Sequence, residues 1–197
     1  MEKRALTIND IRNYQPRTLQ FQGEWAECFG QPELTGSWLI WGNSANGKTR
    51  FALQLAKYLC KFVKVAYNSL EEGMSKSMQD AIEAVGMSDV KPRFVLYDRF
   101  TVKEMTEHLR KQRAPQVVII DSLQYTGLDY KGYQHLRDTF RNKLFIFISH
   151  ADGRLPRGNV ARSIQYDAFV KVYVEDFVAM PQSRYGGNHP YVIWNQN

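Results

Sequence analysis

Hydrophobic and polar positions are arranged in alternating blocks along most of the chain. Short, nearly continuous apolar runs are separated by segments in which apolar residues recur every three or four positions. The apolar runs predict buried strands over residues 37–41, 63–68, 93–97, 116–121, 144–149 and 169–174. Runs of this kind are typical of parallel strands that are buried on both faces of a sheet.

The segments between these strands carry the apolar stripes of amphipathic helices. The first helix starts at Lys48, where Ala52, Leu55, Ala56 and Leu59 share one face. Further helices are predicted over residues 74–85, 101–109, 133–140 and 161–166. Strands that alternate with helices predict an α/β fold, in which a mainly parallel, twisted sheet is flanked by helices.

The C-terminal end departs from this alternation. Residues 177–183 and 190–194 are candidate strands of an antiparallel hairpin, and the glycine-containing segment 185–188 supplies its turn. Because proline cannot donate a hydrogen bond to a neighbouring strand, Pro181 restricts the first of these strands to the edge of the sheet.

The N-terminal end is also less regular than the rest. It carries one short predicted helix over residues 7–14, and Pro16 follows that helix. We therefore divide the chain into an N-terminal arm or linker, residues 1–35, and a core, residues 36–197.

Length and composition fit a globular protein of this design. The chain has 197 residues, of which 44% are hydrophobic and 23% are charged, and these values suit one packed domain. The formal net charge of +6 suits a polyanionic partner such as nucleic acid. The same surplus also serves solubility alone, so the charge leaves both interpretations open.

Cysteine usage and hydropathy favour a cytoplasmic protein. The two cysteines, Cys28 and Cys60, lack the spacing of a metal site, and their small number favours a reducing compartment. No apolar run approaches the length of about 20 residues that a membrane span needs, and the N-terminus has no apolar signal core. We expect neither export nor a membrane partner.

A glycine-rich segment between the first strand and the first helix matches the phosphate-binding pattern G-x-x-x-x-G-K-[ST]. Its residues are Gly42, Asn43, Ser44, Ala45, Asn46, Gly47, Lys48 and Thr49, and Arg50 follows directly. In this setting backbone N–H groups and the helix N-terminus bind phosphate. Lys48 is predicted to reach the β- and γ-phosphates of ATP, and Thr49 to bind Mg²⁺. The alternative is a tight glycine turn with an exposed lysine.

Acidic residues follow two other strands. Asp121 ends the most apolar run and suits the carboxylate that holds Mg²⁺, although an Asp at a strand end is also common as a helix cap. The next residue is Ser122, so the water-activating glutamate that many ATPases carry there must come from elsewhere. Glu71, at the end of the second strand, is a candidate general base. On chemistry alone, Glu71 and Glu72 could equally serve the N-terminus of the next helix.

These motifs together resemble the RecA-like superfamily, especially the RadA recombinases, the DnaB-type replicative helicases and the KaiC-like ATPases. The matching stretches are residues 41–55, 67–72, 117–124, 147–153 and 182–194. The resemblance implies that Glu71 is the catalytic glutamate, with Glu72 as the alternate. It also implies that His150 senses the γ-phosphate, whereas the alternative is a histidine facing solvent at a strand end.

The segment Gln182–Gly187 is similar to the Lys-x-Arg-x-Gly hairpin of DnaB-type and RadA-type proteins. The resemblance implies that Arg184 enters the site of a neighbouring subunit and stabilises the transition state there, in a ring or filament of identical chains. Gln182 departs from the family pattern, because one of the two cations is absent. A surface arginine on a hairpin is the alternative.

The same resemblance implies two DNA-contacting loops. They are residues 125–133, with Lys131, and residues 151–162, with Arg154, Arg157 and Arg162. Ordinary solvated loops remain an equal alternative.

The overall hypothesis is a Mg²⁺-dependent ATPase that acts on DNA in replication, recombination or repair as a homo-oligomer. The alternatives are a KaiC-like regulatory module without DNA activity and a nucleotide-binding subunit that is inactive alone. In relatives, N-terminal linkers dock on the adjacent subunit, so Leu6, Ile8 and Ile11 are candidates for that contact.

Overall fold

The computed structural model describes residues 4–194, so residues 1–3 of the predicted arm and 195–197 of the predicted core lie outside the described residues. The strands are β1 Gly36–Gly42, β2 Val65–Ser69, β3 Phe94–Asp98, β4 Val117–Asp121, β5 Leu144–Asp152, β6 Leu155–Pro156, β7 Val170–Glu175, β8 Val178–Ser183 and β9 Tyr191–Val192. The α-helices are α1 Ile8–Asn13, α2 Glu24–Phe29, α3 Lys48–Leu59, α4 Lys76–Val85, α5 Val102–Leu109, α6 Tyr130–Thr139 and α7 Asn159–Asp167.

One sheet organises these elements in the order β3-β2-β4-β5-β1-β7-β8-β9. The pairs from β3 through β7 are parallel, whereas β8 and β9 continue the sheet in antiparallel pairing. The predicted α/β fold with a mainly parallel sheet and a C-terminal antiparallel hairpin is confirmed. Short β6 pairs with β5 and forms a hairpin inside the predicted loop 151–162, which the sequence pattern did not reveal.

Helices cover both faces of the sheet, and the strands are apolar on both sides for that reason. In β1, Trp38 and Ile40 point into the core that α3 shares, whereas Leu39 and Trp41 point into the core on the side of α6 and α7. Successive residues of a strand face opposite sides, so a run without polar breaks is what a doubly covered strand requires.

Capping residues set the helix boundaries closely. In α5, Thr101 and Glu104 form a complete capping box, and Gly86 ends α4 with a φ of +69°. The predicted helix over residues 74–85 begins later than expected. Ser75 accepts a hydrogen bond from the Met78 N–H group as the N-cap of α4, so Met74 precedes the helix and is exposed.

The predicted arm contains two parts with different packing. Residues 4–17 lie on the surface and include α1, which a capping box between Thr7 and Asp10 starts. Residues 18–34 pack against the core, where Leu19, Phe21 and Phe29 are almost completely buried. The part of the arm that stands apart from the core is therefore limited to residues 4–17 among those described.

Pro181 lies in β8 beside Val172 of β7. The neighbour on the other side, β9, pairs only with Val178 and Ala179. β8 is therefore not the edge strand that Pro181 predicted, because β9 lies beyond it in the sheet. Within residues 4–194, Pro181 itself has a strand partner on one side only, which accommodates its missing N–H group.

Cys28 and Cys60 are free thiols in the core. Burial raises the pKa of each to about 11, so both stay protonated and behave as small apolar residues. Within residues 4–194, no helix combines the length and the apolar character needed to cross a lipid bilayer.

Candidate functional site

A cavity of about 330 Å³ lies at the carboxyl ends of the parallel strands. The predicted site residues that line it are Ser44, Ala45, Gly47, Lys48, Thr49, Arg50, Glu71, Asp121 and His150. They come from the loop after β1 and from the ends of β2, β4 and β5, so residues far apart in the sequence meet at one edge of the sheet. Ligands of open α/β sheets bind at this edge.

The loop after β1 has the conformation expected for phosphate binding. Ala45 and Gly47 have positive φ angles of 63° and 90°, and α3 begins directly afterwards at Lys48. The Lys48 ammonium donates to the Asn43 carbonyl oxygen at 2.7 Å, within reach of the cavity. Burial lowers the pKa of Lys48, against the opposing effect of the Asp121 and Glu71 carboxylates. An anion in the cavity would relieve this desolvation.

Three residues of the predicted loop do not line the cavity. Gly42 is needed for packing, because a Cβ atom there would lie 2.2 Å from the carbonyl oxygen of Val174 in β7. The Asn43 carbonyl oxygen accepts from Lys48. The Asn46 side chain accepts from the Asp176 N–H group at 3.2 Å and thereby joins the loop to the β7–β8 turn. These residues shape the loop rather than face its contents.

Asp121 lies at the floor of the cavity and is 8% exposed. Its Oδ2 atom accepts a hydrogen bond from the Tyr67 hydroxyl and lies 3.4 Å from Thr49 Oγ1. Burial raises the pKa of Asp121 to about 6, although the bond from Tyr67 opposes the shift. Burial, and next the Asp121 charge, hold the pKa of Tyr67 well above its usual value, so Tyr67 remains a hydrogen-bond donor.

Thr49 and Asp121 together fit a magnesium ion. Mg²⁺ prefers oxygen ligands, and proteins commonly supply one or two of them while phosphates and water supply the rest. Residues 4–194 contain no group of three or more His, Cys, Asp or Glu side chains that could hold a metal alone. The Thr49 hydroxyl and the Asp121 carboxylate would supply the protein oxygen ligands, which leaves the remaining positions to phosphate and water.

The two glutamates after β2 have different surroundings. The Glu71 carboxylate accepts from Ser122 Oγ at 3.2 Å and lies 3.3 Å from His150 Nε2. The Glu72 carboxylate instead accepts from Ser77 Oγ at 2.8 Å, near the start of α4. Both line the cavity, but only Glu71 contacts residues at the ends of β4 and β5. This arrangement favours Glu71 for chemistry and Glu72 for a bond to the following helix.

Aromatic residues border the cavity near α3. The Arg50 guanidinium lies 4.7 Å from the centre of the Trp194 ring, and Phe177 packs edge-on against the same ring. Trp194 is half exposed, and Arg50 Nε is buried and has no hydrogen-bond partner among residues 4–194. Of these residues, Arg50 and Phe177 line the cavity, and a cation with an aromatic ring suits contact with the base of a nucleotide whose phosphates occupy the loop.

Arg184 lies far from this cavity. Its backbone N–H group donates to the carbonyl of Phe169, just before β7, and its guanidinium lies over the Phe169 ring. Ser183 pairs with Val170 at one end of the β7–β8 ladder, whereas the cavity lies at the other end. The six residues of β8 span about 20 Å. Arg184 therefore cannot reach the phosphate loop of its own chain.

The turn that follows Arg184 is attached to α2. The N–H groups of Asn188 and His189 donate to the Cys28 and Glu27 carbonyls at 2.9 and 3.0 Å. A Cβ atom on Gly30 would lie 1.9 Å from the Tyr185 carbonyl oxygen. The backbones touch, and the turn is held in one place by the segment that precedes β1.

The two predicted DNA-contacting loops are more structured than expected. Lys131 belongs to α6, and the segment 151–162 contains β6 and the start of α7. Two of its arginines have acidic neighbours, since Arg154 lies 3.6 Å from Glu175 and Arg162 lies 3.7 Å from Asp152. The Arg154 side chain remains 83% exposed, so it is accessible to a partner.

Sequence reasoning missed two residues with clear structural roles. The sequence pattern places Tyr67 in a buried strand and in one of the matching stretches but gives it no role at the site, yet its hydroxyl donates a hydrogen bond to Asp121. Gln124 bonds residues of β5 and of the segment after it. The one signal for Tyr67 was a tyrosine in a strand with both faces buried, because a buried hydroxyl needs a partner.

Comparison with protein-family models and with curated proteins finds no match. Solved structures do match. The flagellar accessory protein FlaH from Methanocaldococcus jannaschii is similar with a TM-score of 0.60 and 12% identity, over 86% of this chain and 88% of FlaH. The KaiC-like protein PH0186 from Pyrococcus horikoshii OT3 is similar with a TM-score of 0.58 and 15% identity, over 78% of this chain and 81% of PH0186.

At these identities the similarity concerns the fold alone. Both solved structures have the RecA-like ATPase fold, and the matches span most of each chain. Together with the mainly parallel sheet and the phosphate loop after β1, they confirm the resemblance that the motifs indicated. The chain has the RecA-like fold of P-loop ATPases.

Proposed function

We propose that this protein binds and hydrolyses ATP with Mg²⁺. The observation that carries the proposal is the cavity in which the phosphate loop, Asp121, Glu71 and His150 meet. Phosphoryl transfer to water uses a lysine, a hydroxyl and two separate carboxylates. Their convergence from four strand ends supports a catalytic site more strongly than the loop alone does.

Each residue has a distinct proposed role. Lys48 and the loop N–H groups bind the β- and γ-phosphates, and Thr49 and Asp121 hold Mg²⁺, which neutralises phosphate charge. Glu71 orients water and accepts its proton as the oxygen attacks the γ-phosphorus, while the bond from that phosphorus to the β–γ bridging oxygen breaks and ADP leaves. Its position supports this role, because its carboxylate faces the cavity beside Ser122 and His150. His150 contacts the γ-phosphate and responds to its loss.

We also propose that Arg184 completes the site of a neighbouring copy. Arg184 cannot serve its own cavity, since about 20 Å of β-ladder separates the two. A head-to-tail contact between identical chains, which closes into a ring or extends as a filament, would bring the arginine of one chain to the phosphates of the next. There it would stabilise charge in the transition state.

DNA is the proposed partner of the oligomer, through residues 125–133 and 151–162. The net charge of +6 and the exposed guanidinium of Arg154 support it. Another observation favours the regulatory alternative, in which ATP only switches assembly state. Arg154 and Arg162 already have acidic neighbours, and the similar structures are called a flagellar accessory protein and a KaiC-like protein.

The discriminating experiment measures ATP hydrolysis with and without DNA at low salt. The DNA proposal predicts that saturating single- or double-stranded DNA raises the rate, and that the increase declines steeply with added salt. Replacing Arg154 and Arg157 with alanine should remove the increase and leave the basal rate intact. A rate and a particle mass that DNA does not change, in a protein that hydrolyses ATP, would support the regulatory module instead.

A further inference from the structure

Gln124 forms three hydrogen bonds around the end of β5. It lies in a short 3-10 turn, Leu123–Tyr125, that follows β4. Its Nε2 atom donates to Ser149 Oγ at 2.8 Å and to the Arg157 carbonyl oxygen at 3.0 Å. Its Oε1 atom accepts from the His150 N–H group at 3.3 Å. The Gln124 amide thus contacts Ser149 and His150 in β5, and also Arg157, which lies seven positions after His150.

The segment that Gln124 closes is a small hairpin, which we call the arginine hairpin, residues 150–157. The Arg157 N–H group donates to the His150 carbonyl at 2.9 Å, and Ala151 pairs with Pro156. Gly153 turns the chain with a φ of +60°. The arginine hairpin presents Arg154 and Arg157 to solvent.

The imidazole ring of His150 lines the cavity. Its Nε2 atom lies 3.3 Å from the Glu71 carboxylate and 3.4 Å from Ser122 Oγ. The side chain of His150 therefore contacts the proposed catalytic glutamate, while its main chain is bonded to Gln124. A displacement of His150 must either break the bond to the Gln124 amide or carry that amide, and with it the carbonyl of Arg157.

We infer that Gln124 is a positioning residue that couples the contents of the cavity to the arginine hairpin. The inference rests on the proposed function, because it requires a site that holds different nucleotides in turn. A nucleotide bound near Glu71 and His150 shifts the equilibrium between conformations of the arginine hairpin, and the side-chain amide of Gln124 transmits this effect. A glutamine suits this position since its amide both donates and accepts, and all three bonds use that capacity.

Trypsin offers a direct test, because Arg154 and Arg157 are cleavage sites within the arginine hairpin. Cleavage there is compared in the full chain with Mg²⁺–ADP and with Mg²⁺–ATPγS, each at saturation as verified by a separate affinity measurement. Couplings of this type are worth about threefold to thirtyfold in an equilibrium. The wild-type protein should therefore show a difference of about threefold or more in cleavage rate between the two nucleotides.

Gln124→Ala should remove that difference while the affinities for both nucleotides change little. Gln124→Glu keeps an acceptor for the His150 N–H group but loses both donated bonds, so it should also uncouple the arginine hairpin. Gln20→Ala is the matched control, since the Gln20 amide donates to Thr18 at a site remote from the cavity. It should retain the wild-type difference.

If Gln124 only stabilised the arginine hairpin, Gln124→Ala would raise the cleavage rate equally with both nucleotides, and the ratio of the two rates would stay as in the wild-type protein. That result would overturn the inference. If Gln124→Ala unfolds, hydrogen exchange of amides 151–155 and 157 is measured in Gln124→Glu with each nucleotide. A ratio of exchange rates between the two nucleotides that equals the wild-type ratio would also overturn the inference. A wild-type protein that binds both nucleotides without any difference in cleavage contradicts the coupling only. A wild-type protein that binds neither nucleotide contradicts the proposed function and the inference together.

Discussion

Asp121 is a buried carboxylate at the floor of the cavity, and its surroundings suit the proposed cation. The carboxylate is buried, and the Tyr67 hydroxyl is a bonded donor. Burial raises its pKa to about 6, so the ionised form is destabilised in the folded protein without a ligand. A divalent cation at Thr49 and Asp121 would remove this penalty, which links metal binding to stability.

The first prediction follows from the raised pKa of Asp121. Between the unfolded value near 3.8 and the folded value of about 6, the folded state binds more protons, so stability falls as pH rises through this window. Above it, the buried charge costs about 3 kcal/mol. Asp121→Asn, which resembles the protonated form, should raise the free energy of unfolding at pH 8 by up to that amount, as measured in urea without nucleotide.

The gain should shrink below pH 6 and vanish only well below the unfolded value of 3.8, where the wild-type carboxyl is protonated in both states. With Mg²⁺–ATP at pH 8, the wild-type protein should instead be more stable than Asp121→Asn, because only the wild-type protein keeps the full set of proposed metal ligands. A variant that is less stable than wild type at pH 8 without ligand would contradict the raised pKa.

At the scale of elements, the sequence predicted the strands and helices of the core because their periodicities are local. It did not predict α2, β6 or the attachment of α2 to the turn after Arg184. The segment 18–34 has no strong periodicity, and its contacts with residues 183–189 lie more than 150 positions away in sequence. The roles of Tyr67 and Gln124 are not visible in the sequence for the same reason, since their hydrogen-bond partners lie on other strands that become neighbours only in the folded sheet.

The second prediction concerns the contact between α2 and that turn. Gly23 and Gly30 flank α2 with nearly the same backbone conformation, at φ of +56° and +64°. A Cβ atom on Gly23 meets open space, whereas one on Gly30 meets the Tyr185 carbonyl at 1.9 Å. Each change to alanine should cost about 1–3 kcal/mol of strain. Gly30→Ala should cost about 1–3 kcal/mol more, because the backbone must also move.

Urea unfolding of the two variants measures the difference directly. The same displacement would move Arg184, so Gly30→Ala should also reduce hydrolysis at high protein concentration without weakening nucleotide binding. Equal stabilities for Gly23→Ala and Gly30→Ala would mean that the turn is not held against α2 as described.

At the scale of the whole molecule, the proposed site is incomplete in one chain. The cavity is bordered by one end of the sheet and Arg184 lies at the other. An assembly that repeats head to tail places every cavity at an interface. Hydrolysis should then depend on protein concentration, and mixtures of defective chains should regain activity.

The third prediction uses such a mixture. Lys48→Ala and Arg184→Ala should each be nearly inactive alone, because one lacks phosphate binding and the other lacks the arginine donated to its neighbour. An equal mixture should recover roughly a quarter of wild-type hydrolysis. With random assembly, this is the fraction of interfaces that combine an intact Lys48 in one chain with an intact Arg184 in its neighbour. Mixing Lys48→Ala with Glu71→Gln provides the control, since both changes affect the same cavity, and that mixture should stay inactive. Recovery in neither mixture would contradict donation of Arg184 between chains.

We propose above all that this cavity hydrolyses ATP and that Glu71 activates the water. The most direct measurement is the steady-state rate of ATP hydrolysis by Glu71→Gln, with the ATP affinity measured in parallel and Glu72→Gln as the matched control. We predict a fall of at least about 100-fold for Glu71→Gln with nearly unchanged ATP binding, the usual effect of losing a general base. Glu72→Gln should stay close to the wild-type rate. Full turnover by Glu71→Gln would show that Glu71 does not activate the water.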